Sequence, residues 1–544
     1  MVSPATLPSL AARLSRERSG DTAFIDGGRH WTYGEFEAET RRAAAWLARH
    51  GVRKGDRVAV WLPNGVTWLA LFFGLARLGA VMMSVNTRFR SSELAYVLTK
   101  SRATHLILQP GFRRIDFRAI VSALDPAAVP DLRSVIVVDP SGAADAGRIL
   151  DRPTSVLRLD EVADTAADAA ADVAADVAGP DLPCILFTTS GTTKGPKLVI
   201  HPQRTLVVHG GPVAVRAGLD QPGARLLAML PFCGVFGLVG TLAAFGAGTP
   251  VVILDTFDAE RAAALIAAHA VTHTFGSDEM YRRLLQVRAG DRPFPGARLF
   301  GFAAFQPGAL ELAAEAWARG VPMVGLYGSS EVQALFAIQP KDLPLEERIL
   351  GGGVPSAGDQ AKVRVRDVDT GELLPPGQLG EIEIAAPGNF IGYLDDPDAT
   401  AEVMLPDGFF RTGDVGYLRP DGSFVYEMRK GDAIRLGGYL VSPVEIEDVL
   451  KGFDGVADAQ VVAVAVGTEL KPVAFVIPQP GATIDPDALI ARARTCMAGF
   501  KVPYRVWPVE AFPTTESANG TKIQRARLRT MAEERLSREG RGAG

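Results

Sequence analysis

The apolar positions of this chain fall into short uninterrupted runs separated by stretches of helical spacing. Residues 58–62 (Val-Ala-Val-Trp-Leu), 81–85, 106–108, 135–138 and 184–187 are runs of strand length, the pattern of strands buried on both faces. Between them, Phe36, Ala43 and Leu47 recur at helical spacing. So do Trp68, Phe72, Leu75 and Leu78, stopped by Gly79, and a further helix is expected at 94–98. The alternation resumes with a strand at 251–254 and an Ala-rich helix at 259–268. Strands alternating with helices predict an α/β domain with a largely parallel sheet. Residues 362–365, 380–384 and 422–426 instead alternate apolar and polar. That predicts half-buried antiparallel strands and a small β-barrel-like subdomain. Residues 351–355 read as a glycine-rich turn. A last group has strands at 460–466 and 473–477 and helices around 486–498 and 523–534, a small α+β unit.

Two stretches need separate comment. Residues 226–254 carry no charge and are long enough to span a bilayer. Pro231, Pro250 and the glycines between them break the stretch into strand, loop, helix and strand, and a lipid-exposed span could not satisfy that broken backbone. The expectation is no membrane span but a buried core segment lining a pocket. Residues 161–180 are an Ala/Asp tract, read as a solvated helix or linker without chemistry.

Composition narrows the picture. At 544 residues the chain exceeds one ordinary domain, and 47% hydrophobic with 22% charged residues is the balance of a folded soluble protein. A net charge of −5 gives no footprint for nucleic acid. Three cysteines suggest neither a disulfide framework nor a thiolate zinc site, which suits a reducing cytoplasm. The mildly apolar residues 7–12 are cut short by Arg13, Arg16, Glu17 and Arg18, so no secretory signal is expected.

The chemistry concentrates in Thr188-Thr189-Ser190-Gly191-Thr192-Thr193-Lys194-Gly195-Pro196-Lys197, which follows an apolar strand and packs five hydroxyls, two glycines and two lysines into ten residues. Glycines let backbone N–H groups approach an anion, hydroxyls donate and lysines add charge, so the loop suits a polyphosphate. It is not a Walker A loop: only three residues stand between Gly191 and Gly195 where that motif has four, Pro196 precedes Lys197 and Leu198 follows it. A second loop, Tyr327-Gly328-Ser329-Ser330-Glu331, delivers an aromatic ring, hydroxyls and a carboxylate from the end of a strand. The hard oxygens of Glu331 suit Mg²⁺.

Both loops resemble the motifs of the adenylate-forming superfamily, which includes acyl-CoA synthetases, aryl-CoA ligases, luciferases and nonribosomal adenylation domains. The first is similar to that family's Ser-Gly-Thr-Thr-Gly-x-Pro-Lys loop, with Lys194 in place of a glycine. The second is similar to its Tyr-Gly-x-Thr-Glu, with Ser330 in place of threonine. Further matches follow in family order over roughly residues 30–530: a segment at 299–305, Arg411-Thr412-Gly413-Asp414, a segment around 427–447, and Thr521-Lys522-Ile523 where Gly-Lys-Ile is usual.

The resemblance implies a site residue by residue. ATP or AMP is held by Thr188, Thr189, Ser190, Gly191, Thr192, Thr193 and Lys197, by Gly301, Ala303 and Ala304 against adenine, and by Tyr327, Gly328 and Ser330. Asp414 and Arg429 reach the ribose, Glu331 holds Mg²⁺, and Lys522, on a mobile loop, bridges carboxylate and α-phosphate. Catalysis thus falls to Lys522, Lys197, Ser330 and Glu331. Cys233, Gly234, Phe236, Gly237 and Gly276 line the acyl pocket. Gly431 is the hinge between an N-terminal domain at 1–430 and a mobile C-terminal domain at 431–544, and Gly437 and Gly438 lie beside CoA. Asp278 reads as a cap on the helix that follows; the other reading turns it and Glu279 toward the acyl pocket. His201 has no assigned role, and Ser442 with Glu445 reads as a capping box.

The expected activity is ligation of a carboxylic acid to coenzyme A through an acyl-adenylate, with ATP, Mg²⁺ and CoA required and AMP and pyrophosphate released. A medium-chain, alicyclic or aromatic acid is expected. Two alternatives stay open: an adenylating enzyme that loads a separate carrier protein, and a catalytically silent nucleotide-binding protein. The resemblance also leaves a homodimer open.

Overall fold

The computed structural model describes residues 5–113, 115–139, 148–163, 179–189, 196–288, 290–303, 309–431, 434–436, 439–466, 469–517 and 520–541. They belong to two compact units. One is drawn from 1–304, 309–362 and 384–410, the other from 363–383 and 411–544.

The first unit is α/β, built on two sheets. One runs in the order Gly392–Tyr393, Leu198–Pro202, Pro183–Thr188, Val81–Ser84, Arg57–Trp61, His105–Leu108, Ser134–Val137, Arg152–Val156, Arg148–Ile149. Pro183–Thr188, Val81–Ser84, Arg57–Trp61, His105–Leu108 and Ser134–Val137 pair in parallel. They coincide with the uninterrupted apolar runs, because a strand covered on both faces has no polar side to show. The other sheet contains Gly351–Pro355, Gln333–Ile338, Met323–Ser329, Leu299–Ala303, His273–Ser277, Leu226–Ala228, Val251–Ile253, Thr22–Asp26 and Arg29–Thr32, in that order. Parallel pairing runs from Met323–Ser329 to Thr22–Asp26.

Helix Tyr33–Arg49 opens with a reciprocal cap in which Glu35 N donates to Thr32 Oγ1 and Thr32 N to Glu35 Oε2. Helix Val66–Leu78 is buried nearly all round and ends at Gly79 with φ 64°, the left-handed stop its sequence announces. The uncharged stretch forms Leu226–Ala228, a loop, helix Val235–Ala247 and Val251–Ile253, as expected. Among the described residues no helix is long and apolar enough to cross a membrane.

The second unit carries the strands Lys362–Arg366, Gly380–Ala385, Phe410–Leu418 and Phe424–Arg429 side by side. It also holds the pairs Ile434–Leu436 with Tyr439–Val441 and Thr514–Ser517 with Gly520–Ile523, and a three-stranded sheet, Val456–Val466, Glu469–Pro478 and Arg505–Pro508. Helices Pro443–Lys451, Pro486–Cys496 and Arg525–Arg541 accompany these strands. Buried Glu447 takes both Nη1 and Nη2 of Arg525 (2.6 and 3.0 Å) and the Val461 amide (2.8 Å). One carboxylate thereby ties the start of the last helix to an earlier helix and a strand.

Four local expectations are corrected. Residues 351–355 are not a turn but a strand antiparallel to Gln333–Ile338. The glycines permit close approach: a Cβ at Gly353, where φ is +112°, would lie 2.3 Å from the Ile338 carbonyl carbon. Lys522 sits on the strand Gly520–Ile523, opposite Thr515, not on a loop. Ser442 precedes helix Pro443–Lys451 without a side-chain capping bond. The cap at 277–280 is made by Ser277, which accepts from Met280 N at 3.3 Å; Asp278 is the first helical residue, buried, and accepts from the Glu279 amide.

Candidate active site

The polyphosphate-loop sequence joins two antiparallel strands, Pro183–Thr188 and Leu198–Pro202, with Thr188 opposite Leu198. Its base is closed twice: Thr189 N donates to Lys197 O and Lys197 N donates to Thr189 Oγ1, each at 3.0 Å. Tyr96, on helix Ser91–Ser101, donates its hydroxyl to Pro196 O (2.9 Å). Ser190, Gly191, Thr192 and Thr193 lie outside the described residues, as do Ala304, Gly437 and Gly438.

The Glu331 loop connects Met323–Ser329 to its antiparallel neighbour Gln333–Ile338. The tight reversal explains the glycine after Tyr327: a Cβ at Gly328 would lie 2.5 Å from Gln333 O and 2.6 Å from Ala334 Cα. Gln333 and Leu335 take positive φ, 66° and 59°. Such strain persists where surrounding bonds over-determine it, and here Gln333 Nε2 donates to Thr205 O (2.8 Å) and Gly388 O (2.9 Å). The Ser329 hydroxyl accepts from the Glu331 amide (3.2 Å), and Glu331 O accepts from Phe390 N (2.7 Å).

The structure brings the two loops together through residues that sequence reasoning left aside. His201, fully buried, places Nε2 2.7 Å from Ser330 O and Nδ1 3.1 Å from Thr205 Oγ1. A carbonyl only accepts, so Nε2 carries the proton. Burial pushes the pKa of His201 down to about 4, so the ring stays neutral. Tyr393, missed altogether, donates its hydroxyl to Glu331 Oε1 at 3.0 Å, and the Lys197 ammonium lies 4.5 Å above its ring. A lysine, a tyrosine and a glutamate from three regions of the sequence thus form one cluster. Among the described residues no group of three or more His, Cys, Asp or Glu side chains converges. A single hard carboxylate, linked to a lysine through a tyrosine ring, fits an ion whose other ligands come from phosphates and water, as magnesium prefers.

Tyr327 is buried, its ring edge-on to Phe336 at 6.3 Å. Gly301 is buried, and a Cβ there would meet Leu326 Cδ1 at 2.8 Å and Phe275 Cδ1 at 2.9 Å, so strand packing alone already requires a glycine. Ala303 is partly exposed and opposite Ser277. In the apolar segment Gly234 and Phe236 are partly exposed, whereas Cys233 and Gly237 are buried, as is Gly276 on the strand His273–Ser277. Burial raises the Cys233 thiol to about 11, which keeps it protonated.

In the second unit Arg429 Nε pairs with Asp414 Oδ1 at 3.1 Å, across the register of Phe410–Leu418 and Phe424–Arg429. Beside them Glu381 accepts from Lys430 Nζ (2.7 Å) and Arg411 Nη2 (2.8 Å). Burial alone would raise Glu381, but these two cations outweigh it and hold the carboxyl below its usual range. Gly431 is exposed, and a Cβ there would meet nothing within 4 Å. Lys522 is described as to its backbone only.

The family comparison agrees with these motifs. Residues 11–394 match the AMP-binding enzyme family and residues 445–519 match the AMP-binding enzyme C-terminal domain. The chain belongs to the AMP-binding enzyme family and is an AMP-forming ligase of the acyl-CoA synthetase class. Enzymes of this class use ATP with Mg²⁺ and CoA. A feruloyl-CoA synthase of Amycolatopsis sp is 32% identical, over 94% of this chain and 96% of its own. A 3-[(3aS,4S,7aS)-7a-methyl-1,5-dioxo-octahydro-1H-inden-4-yl]propanoyl:CoA ligase of Rhodococcus jostii is 30% identical, over 95% and 98%. Among solved structures, ATP-bound MatB from Rhodopseudomonas palustris superposes with a TM-score of 0.77 at 25% identity, covering 96% of this chain and 98% of that one.

Proposed function

We propose that the protein joins a medium-chain, alicyclic or aromatic carboxylic acid to CoA in two half-reactions, acting in the cytoplasm. In the first, a carboxylate oxygen attacks the α-phosphorus of ATP, and the bond from that phosphorus to the departing pyrophosphate breaks. The product is an acyl-adenylate. In the second, the CoA sulfur attacks the acyl carbon, AMP leaves with the bonding pair, and the thiol proton passes to solvent. A carboxylate is a poor acyl donor because oxide is its leaving group, and the mixed anhydride replaces oxide with AMP.

No acid–base residue is required for the first step; positioning and charge neutralisation suffice. Lys197 and the hydroxyls and amides of the 188–197 loop take the phosphates. Glu331 is the carboxylate that would hold magnesium, which when bound supplies neutralising charge to those phosphates. Ser330 donates to the α-phosphate, Tyr327 and Gly301, Ala303 and Ala304 face the adenine, and Asp414 accepts from the ribose hydroxyls with Arg429 beside it. Lys522 neutralises the charge that builds as carboxylate and phosphate approach. Rotation of residues 431–544 about Gly431, a glycine with a permissive backbone, exchanges Lys522 for the CoA channel beside Gly437 and Gly438.

The Lys197–Tyr393–Glu331 cluster carries this reading, because it joins a phosphate-type lysine to a metal-type carboxylate. Apolar and partly exposed, Gly234 and Phe236 support an apolar acyl group. The test incubates the protein with Mg·ATP, CoA and a panel of fatty, alicyclic, benzoic, cinnamic and betaine acids, measuring pyrophosphate and thioester separately. Both products with one class of apolar acid are expected. Pyrophosphate without thioester would move the acceptor to a carrier protein, and preference for a betaine would overturn the apolar assignment.

A further inference from the structure

Tyr393 lies on Gly392–Tyr393, an edge strand annealed to Leu198–Pro202, the strand that leaves the phosphate loop. Val199 is its register partner, Ile391 N donates to Ile200 O (3.1 Å) and Leu394 N to Leu198 O (2.9 Å). The Tyr393 amide donates to Thr400 Oγ1 (3.0 Å), and its ring sits 5.0 Å from that of Phe390. Phe390 in turn donates its amide to the Glu331 carbonyl at 2.7 Å. The ring and the backbone of the Glu331 loop are therefore mounted on the same short segment. The ring, 8% exposed, has little room to turn away from the carboxylate it serves.

We infer that Tyr393 is a positioning residue of the adenylation site: it orients the Glu331 carboxylate for magnesium and holds the Lys197 ammonium beside it until phosphate arrives. The inference rests on the roles given above to Glu331 and Lys197. With Oε1 committed to the tyrosine hydroxyl, Glu331 presents its other oxygen singly. Magnesium takes single oxygens at near-octahedral angles, whereas calcium accepts chelating carboxylates. Partners of a metal-ligating carboxylate fix its orientation and are costly to remove. The aromatic face attracts the lysine by its quadrupole, and an arriving polyphosphate outcompetes that attraction with full charges.

The test is Tyr393→Phe, which keeps the ring and loses the hydroxyl. Mn²⁺ is titrated into the protein with α,β-methylene-ATP, and bound metal is read by electron paramagnetic resonance. The dissociation constant should rise roughly 10-fold. In acid-dependent pyrophosphate exchange the half-saturating Mg²⁺ should rise by more than turnover at saturating Mg²⁺ falls. Unchanged Mn²⁺ affinity with an unchanged melting temperature would overturn the inference. Glu331→Gln separates the layers. If it leaves Mn²⁺ affinity intact, the Glu331 assignment falls; if it weakens Mn²⁺ while Tyr393→Phe does not, only the tyrosine's role falls. The double variant should bind Mn²⁺ no more weakly than Glu331→Gln alone, since the hydroxyl acts through that carboxylate, and additive losses would contradict it. Tyr393→Leu, which also removes the ring, should raise the KM for ATP beyond the phenylalanine variant. Equal KM values would strike out the ring's part.

Discussion

Replacing Gly237 by alanine should destabilise the protein, whereas the same change three residues earlier at Gly234 should not. A methyl carbon at 237 would lie 2.3 Å from Pro231 O, 2.7 Å from Leu230 O and 2.8 Å from the Pro231 carbonyl carbon. All three are backbone atoms, and the nearest lies about 1 Å inside ordinary carbon–oxygen contact, which runs near 3.3 Å or more. The loop cannot easily retreat. Asn64 Nδ2 donates to Leu230 O (2.8 Å), the Phe232 amide donates to Asn64 Oδ1 (2.7 Å), and Ser84 Oγ donates to Cys233 O (3.0 Å). Overpacking a tight site costs about 1–3 kcal/mol. Alanine recovers at most about 1 kcal/mol of helix propensity over glycine. With a backbone contact of 2.3 Å the cost lies at the upper end of that range, so the net expectation for Gly237→Ala is a loss of about 2 kcal/mol. At Gly234 the nearest atom, Pro231 O, is 3.6 Å from a built Cβ, and φ is −104°, so Gly234→Ala should stay within about 0.5 kcal/mol of the parent. Denaturant midpoints on the two variants, with kcat/KM for two acids of different width, make the comparison. Gly234→Leu should penalise the wider acid. A Gly237→Ala variant as stable as the parent, or equal losses at both positions, would refute the packing argument.

Buried histidines make the fold acid-sensitive. Burial holds His201, His209 and His273 at about 4, below the unfolded value of about 6.5. The unfolded chain therefore binds the extra protons first, and stability falls as pH drops from about 6.5 toward 4, by up to about 1.4 kcal/mol per pH unit for each histidine. Calorimetric melts across that window should show the slope, and His209→Gln should flatten it; a pH-independent melt would contradict the burial. Asp414→Asn should raise the KM for ATP roughly 10-fold or more, since hydrogen bonds to a charged acceptor are worth about 1.5–3 kcal/mol. An unchanged KM would remove Asp414 from the ribose. Lys522→Ala should cut adenylation about 100-fold or more while preformed acyl-adenylate still yields thioester. Equal loss of both half-reactions would contradict its placement in the first step.

What the sequence disclosed follows from how local each signal is. Prolines and glycines act where they stand, so residues 226–254 divided correctly into strand, loop, helix and strand. The parallel strands were visible because double-sided burial leaves unbroken apolar runs. The glycines of 351–355 misled because their reason is the backbone of Ile338, which composition does not show. At 277–278 two capping residues stood side by side, and only backbone geometry picks Ser277. Lys197 and Glu331 were legible as chemistry, since their residue types suit phosphate and metal. His201 and Tyr393 were not, because each draws its meaning from a residue far along the chain, Ser330 and Glu331 respectively.

Attack of a carboxylate oxygen on the α-phosphorus of ATP leaves an isotopic record, read by running the reaction with the best acid of the panel labelled with ¹⁸O in its carboxylate and analysing the nucleotide product by mass spectrometry. One ¹⁸O atom should appear in AMP for each thioester formed. Label in inorganic phosphate, with ADP as the nucleotide product, would contradict the adenylate route.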